Sequence, residues 1–227
     1  MRRSWITRLP VAIAAAAAVT LLLAGPANAA APIHWGMNEP PGTGTMSDDN
    51  GGHVGTWQDI VADGSGYNFN GTSSRVVVPD AADGSLDPGT ANFSYSVRFR
   101  TTVIPDDVVG DFDLLRKGLS GTNGGYYKVE LYPNRSNTKA RALCQAKGNS
   151  GGAKLVGNTN LADGNLHTIT CEKTASAFNM YVDGVLKASK AGALGAIANK
   201  VALTVGAKHI GGDWYEGFMD EATLAIG

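Results

Sequence analysis

The sequence predicts an all-β fold, a sandwich of antiparallel sheets, on three observations. Short runs alternate apolar and polar residues, Gly-containing pairs punctuate them, and helical periodicity is nearly absent beyond the first residues. In FSYSVRFR, Phe93, Tyr95, Val97 and Phe99 share one face, while Ser94, Ser96, Arg98 and Arg100 share the other. A strand turns successive side chains to opposite faces, so this pattern describes a half-buried strand. The same reading applies to Tyr127, Val129 and Leu131, to Phe178, Met180 and Val182, to Val201, Leu203 and Val205, and to Phe218, Ala222, Leu224 and Ile226. Turns are marked by Asn70-Gly71, Asp83-Gly84, Asp163-Gly164 and Asp183-Gly184. The last is a two-residue type I′ signal, because Asp and Gly both tolerate positive φ. Pro40 to Asp59 shows no pattern and is expected to be a surface loop.

The chain opens with Arg2, Arg3 and Arg8, followed by an apolar run from Val11 to Ala24 and the small-residue triplet Ala27-Asn28-Ala29. This is the pattern of a secretory signal peptide over residues 1–29, and the run is shorter than the ~20 residues that span a bilayer. Residues 30–227 are then one secreted, extracellular domain, within the size of a single all-β core. It carries sixteen basic and twenty acidic residues, which gives no electrostatic attraction to nucleic acid or to an anionic membrane. Cys144 and Cys171 are the only cysteines. In an exported chain they read as one disulfide, expected to staple neighbouring strands of one sheet. Closing the 28-residue loop contributes roughly 3.5 kcal/mol on the chain-entropy model.

Six segments, in order, resemble one family. They are HWGMNEPPGTGTMSDDNGGHVGTW, YNFNGTSSRVVVPD, FSYSVRFRT, LHTITCEK, NMYVDGVLKA and YEGFMDEATLAIG. Together they resemble the laminin-G-like branch of the concanavalin A-like lectin/glucanase superfamily, with Leu166 where Trp is usual. The resemblance implies a jelly-roll of two antiparallel sheets in which the first and last strands pair. It does not imply one function, since the fold hosts lectins, glycanases and adhesion modules.

Enzyme signatures are weak. Gly148-Asn149-Ser150-Gly151-Gly152 fits G-x-S-x-G, but its flanks read as strands, so the segment is expected to be a hairpin loop. The carboxylate pattern Glu-x-Asp-x-x-Glu of the superfamily's glucanases is missing, and the adjacent Asp220 and Glu221 face opposite sides of a strand. No catalytic residue is assigned. Parity places Asp220 on the apolar face of the last strand, and Glu39 on the apolar face of the first, with Ile33, Trp35 and Met37. Two inward carboxylates on paired strands need a cation or hydrogen-bond donors. One expectation is therefore a structural calcium ion held by Glu39, Asp48 and Asp220, and the other is that turn N–H groups satisfy them. Trp214 is expected to face outward, as a candidate platform for a ligand. The expected function is non-catalytic binding of an extracellular glycan. The alternatives are a module that binds a surface protein, and then a glycan-acting hydrolase.

Overall fold

The structure is a computed structural model that describes residues 31–106 and 110–227. The signal peptide expected over residues 1–29 lies outside the described residues. Sixteen strands and no helix are found among those described. In chain order they are β1 (Ile33–Trp35), β2 (Thr45–Met46), β3 (Gly55–Gln58), β4 (Val61–Ala62), β5 (Tyr67–Asn70), β6 (Arg75–Val78), β7 (Phe93–Arg100) and β8 (Phe112–Lys117). There follow β9 (Tyr126–Pro133), β10 (Ala140–Lys147), β11 (Gly152–Val156), β12 (His167–Lys173), β13 (Ala177–Val182), β14 (Val185–Ala191), β15 (Leu203–Val205) and β16 (Glu216–Ile226).

They form two antiparallel sheets of eight strands. The first runs β14-β13-β12-β7-β16-β5-β4, with β1 also paired to β16, and the second runs β11-β10-β9-β8-β15-β6-β3-β2. The first and last strands do meet, with Ile33 opposite Leu224 and Trp35 opposite Ala222. The core lies between the sheets. Phe93 and Tyr95 from β7 pack on Tyr127 from β9, with ring centroids 5.6 and 5.1 Å away. The buried Tyr95 hydroxyl donates across to the carbonyls of Lys128 and Gln145, at 3.1 and 3.0 Å, which satisfies its polar end. The Asp183-Gly184 turn has φ of 52° and 75°, as the sequence predicts.

Three expectations need correction. Pro40 to Asp59 contains β2 and β3, because Thr56, Trp57 and Gln58 find partners in Val77, Val76 and Arg75 of β6, which a local reading does not see. The strand parity of Asp220 fails at a β-bulge: the β16–β7 register shifts between Met219 and Glu221. Met219 and Ala222 are both buried, and Asp220 is turned to the outer side, 3.3 Å from Arg98. Finally, the Cys144–Cys171 disulfide joins β10 of the second sheet to β12 of the first. Its Cα atoms are 5.6 Å apart, well inside the ~10 Å spacing of stacked sheets. The sheets close on each other here because Cys144 shares the inner face of β10 with Ala140, Ala142 and Ala146, which fill little space.

Replacing both cysteines by alanine should lower unfolding free energy by roughly 3.5 kcal/mol in denaturant titration, with the β spectrum retained. A loss under about 1 kcal/mol would show that the cross-sheet contacts constrain this loop without the bond.

Candidate functional site

Strand β8 is covered on both faces, and β9 over much of its outer face as well. In β9, Tyr127, Val129 and Leu131 enter the core, so Tyr126, Lys128, Glu130 and Tyr132 line the outer face. Opposite them on β8 stand Asp113, paired with Glu130, and Arg116, paired with Lys128. Another register shift, between Asp113 and Leu115, takes up Leu114 and allows Asp113 and Arg116 to share that outer face. Asp113, Arg116 and Glu130 are nonetheless buried.

The cover is the loop from Gly206 to Trp214. Gly206 starts it at φ 86°, where a Cβ would lie 2.2 Å from the Phe69 ring, so only glycine fits. Arg75 holds the loop by donating to the carbonyls of Lys208 and His209, at 3.2 and 2.8 Å. The Asp113 amide donates to the Asp213 carbonyl at 2.9 Å and ties the loop to β8.

Charges under and beside this loop form one network. Arg116 binds the Asp113 carboxylate through its guanidinium and the Gly118 carbonyl through Nε, the latter at 3.1 Å. Lys128 binds Glu130 Oε1, and Lys208 binds Asp213 Oδ2 at 2.6 Å. Asp113 Oδ1 and Glu130 Oε2 are buried with no N–H or O–H donor of another residue. A single proton shared between the two carboxyls accounts for both. Burial, then the Glu130 charge, pushes Asp113 well above the carboxylate range. Burial also works against an ionised Glu130, but Asp113, Lys128 and Arg116 outweigh it and hold Glu130 low. Asp113 is therefore the protonated partner. Three carboxylates (Asp111, Glu130, Asp213) then face three cations (Arg116, Lys128, Lys208).

Outward of this network lies a cleft of 370 Å³. Its polar lining includes Asp111, Tyr126, Lys128, Gln145 and Asp213, and Ile210, 70% exposed, supplies an apolar edge. Gln145 donates to the Tyr126 hydroxyl at 2.6 Å, which orients both groups. Burial, then the charges of Glu130 and Asp213, raises Asp111 to about 6.

The residues singled out in the sequence stand elsewhere. Glu39 accepts from the Ser47 amide at 2.7 Å and from the Tyr67 hydroxyl. Asp48 accepts from the backbone N–H of His53 at 3.1 Å and faces its ring, and Asp220 pairs with Arg98. Among the described residues these three do not gather into a cluster. The one set of three acids whose ligand atoms lie within 4.8 Å of each other is Asp111, Glu130 and Asp213. The first set does not converge on one ion: Glu39 and Asp48 each have both oxygens paired within the protein, and Asp220 faces Arg98. In the second, Lys128 and Arg116 face Glu130 and Lys208 pairs with Asp213. Trp214 is half-buried, with the Arg75 guanidinium 5.7 Å from its ring centroid, so one face of the expected platform is taken. The G-x-S-x-G segment is the loop between β10 and β11, as expected. Alternation in YYKVELYP could have disclosed the outer face of β9, with two tyrosines and two opposite charges on one side.

A laminin-G family model, described as the concanavalin A-like lectin/glucanases superfamily, matches residues 70–225. The chain belongs to that superfamily. No curated protein matches it in sequence. Among solved structures it is similar to domain 4 of AbnA, a GH43 extracellular arabinanase from Geobacillus stearothermophilus, in complex with arabinotriose. That match has 16% identity and a TM-score of 0.58, over 86% of this chain and 91% of the other. It is also similar to the receptor-binding domain of botulinum neurotoxin D, at 9% identity and a TM-score of 0.62, over 85% of this chain and 48% of that one. A third is a Trypanosoma rangeli sialidase, at 14% identity and a TM-score of 0.53, over 85% of this chain and 30% of the sialidase. At these identities the likeness is one of fold.

Two outcomes follow. A raised carboxyl stabilises the folded state most below its unfolded value near 3.8, and that contribution is lost as pH rises through about 6. Asp111→Asn should therefore gain melting temperature relative to the parent between pH 4 and pH 7, and an unchanged difference would refute the assignment. Excess chelator should leave the parent's melting temperature unchanged, and a fall of several degrees would restore a structural cation.

Proposed function

We propose that this domain is an exported module that binds a glycan in the cleft over β8 and β9. The observation that carries the reading is the mixed lining. A sugar presents hydroxyls that both donate and accept, above faces of C–H bonds. Lys128 and Gln145 offer donors, Asp111 and Asp213 acceptors, Tyr126 both, and Ile210 an apolar contact. The network beneath fixes these groups before a ligand arrives, which lowers the ordering cost of binding. The likeness to an arabinanase domain solved with arabinotriose supports the same class of ligand. Export is supported by the leader pattern and by the disulfide, which persists in oxidising compartments.

One observation favours a second reading, a glycan-acting hydrolase. Asp111, whose carboxyl is raised to about 6, stands beside the carboxyl of Asp213, so two carboxyls lie close together at the cleft. Calorimetric titration with arabino-oligosaccharides, then with neutral and acidic oligosaccharide panels, decides between them. Binding without cleavage is expected. Gln145→Ala and Tyr126→Phe should each weaken it by about 10-fold, in keeping with the ~1.5 kcal/mol of a well-placed hydrogen bond, while Trp214→Ala should change it less. Cleavage that Asp111→Asn abolishes would select the hydrolase. If no panel member binds, a surface protein becomes the partner to seek.

A further inference from the structure

On another side of the molecule, two loops bring together a serine, a histidine and an aspartate: Asp48 and His53 from the β2–β3 loop, and Ser85 from the β6–β7 loop. His53 Nε2 is 2.7 Å from Ser85 Oγ, and His53 Nδ1 is 3.2 Å from Asp48 Oδ2. The histidine is fixed at every polar atom. Its amide donates to Asp48 Oδ1 at 3.1 Å, its carbonyl accepts from the Trp35 indole at 2.8 Å, and the Trp35 ring stands edge-on to the imidazole. Exposure grades along the chain of contacts: the Asp48 side chain is 1% exposed, that of His53 15%, and Ser85 is half-buried. Ser85 and His53 open into a cavity of 280 Å³ whose apolar wall is Ile33, Leu224 and Ile226.

We propose that Ser85 and His53 form a nucleophile and general base for the hydrolysis of carboxylic esters with a small apolar acyl group, with Asp48 as the positioning residue. An ionised Asp48 accepting the Nδ1 proton leaves Nε2 with the lone pair directed at Ser85, the arrangement that activates a hydroxyl. Burial opposes that ionisation, but the hydrogen bonds from the His53 amide and ring and from the Gly52 amide keep Asp48 below its usual range. Ser85 Oγ also lies 2.6 Å from Asp83 Oδ1. Rotation about the Cβ–Oγ bond carries the single hydroxyl proton between Asp83 and His53. In the reaction Ser85 Oγ adds to the ester carbonyl while its proton passes to Nε2. The C–O bond to the alcohol breaks, the alcohol leaves with that proton, and an acyl-Ser85 remains. Water then attacks, giving its proton to Nε2, and releases the carboxylic acid as the Ser85 hydroxyl reforms. Asp48 and Asp87 at the cavity disfavour a carboxylate on the substrate.

The probes are p-nitrophenyl butyrate and a fluorophosphonate that phosphonylates activated serines. The intact protein should gain one label, mapped by peptide mass to Ser85, and should hydrolyse the ester. Ser85→Ala, which removes one half-buried oxygen, should abolish labelling and lower the hydrolysis rate at least about 100-fold, the range of general-base catalysis. His53→Gln, which keeps a donor toward Ser85, should do the same and covers the case in which Ser85→Ala unfolds. Asp48→Asn should lower kcat with KM unchanged, a split that a purely structural role would not produce. Equal rates in the parent and both Ser85→Ala and His53→Gln, or a label on any other residue, would overturn the proposal.

Discussion

The outer face of β8 and much of that of β9 is covered, and the candidate site depends on this. Most sandwich strands put one face in the core and the other in water. Here the Gly206–Trp214 loop, held by Arg75, lies over the second face and takes water from Asp113, Arg116 and Glu130. Charges removed from water must be paired or neutralised, and each of these is. The shared proton on Asp113, the Arg116 fork and the Lys128 contact all answer one desolvation cost. The cleft then gains fixed polar groups at its floor and a raised acid, Asp111, at its side.

The same pairing sets the charge around the cluster Asp111, Glu130 and Asp213. Asp111, Glu130 and Asp213 come close enough to hold an ion, yet Arg116, Lys128 and Lys208 already supply the positive charge. The groups that remain outward, Tyr126, Lys128 and Gln145, suit hydroxyl recognition better than ion binding. The Ser85–His53–Asp48 contacts obey a different logic, in which a fixed imidazole is aimed at a hydroxyl beside an apolar cavity. The two sites share no lining residue.

Much of the fold was legible because period-two alternation is a local property. FSYSVRFR, the inward faces of β9 and β13, and the Asp183-Gly184 turn all form as their residues indicate. The candidate site was less legible. Asp220 was misplaced because a bulge shifts parity by one residue without any sequence mark, and Asp113 and Arg116 share a face only because a second bulge takes up Leu114. The cysteine pair was legible, but its span between sheets was not, since alternation tells which face a residue takes and not which strand lies opposite.

The sequence by itself determined the fold class, many of the strands, the marked turns, the disulfide pair and the superfamily, because those follow from side-chain period, from φ tolerance and from counting. Only the tertiary structure decided where function is to be sought. The cleft draws on β8, β9, β10 and the 206–214 loop, and the Ser85–His53–Asp48 contact draws on the β2–β3 and β6–β7 loops. Such groups meet through strand order and register, which bring together residues distant in sequence, as in the Arg75 bond to His209, 134 positions away. No local pattern encodes a contact whose geometry exists only after both sheets have closed.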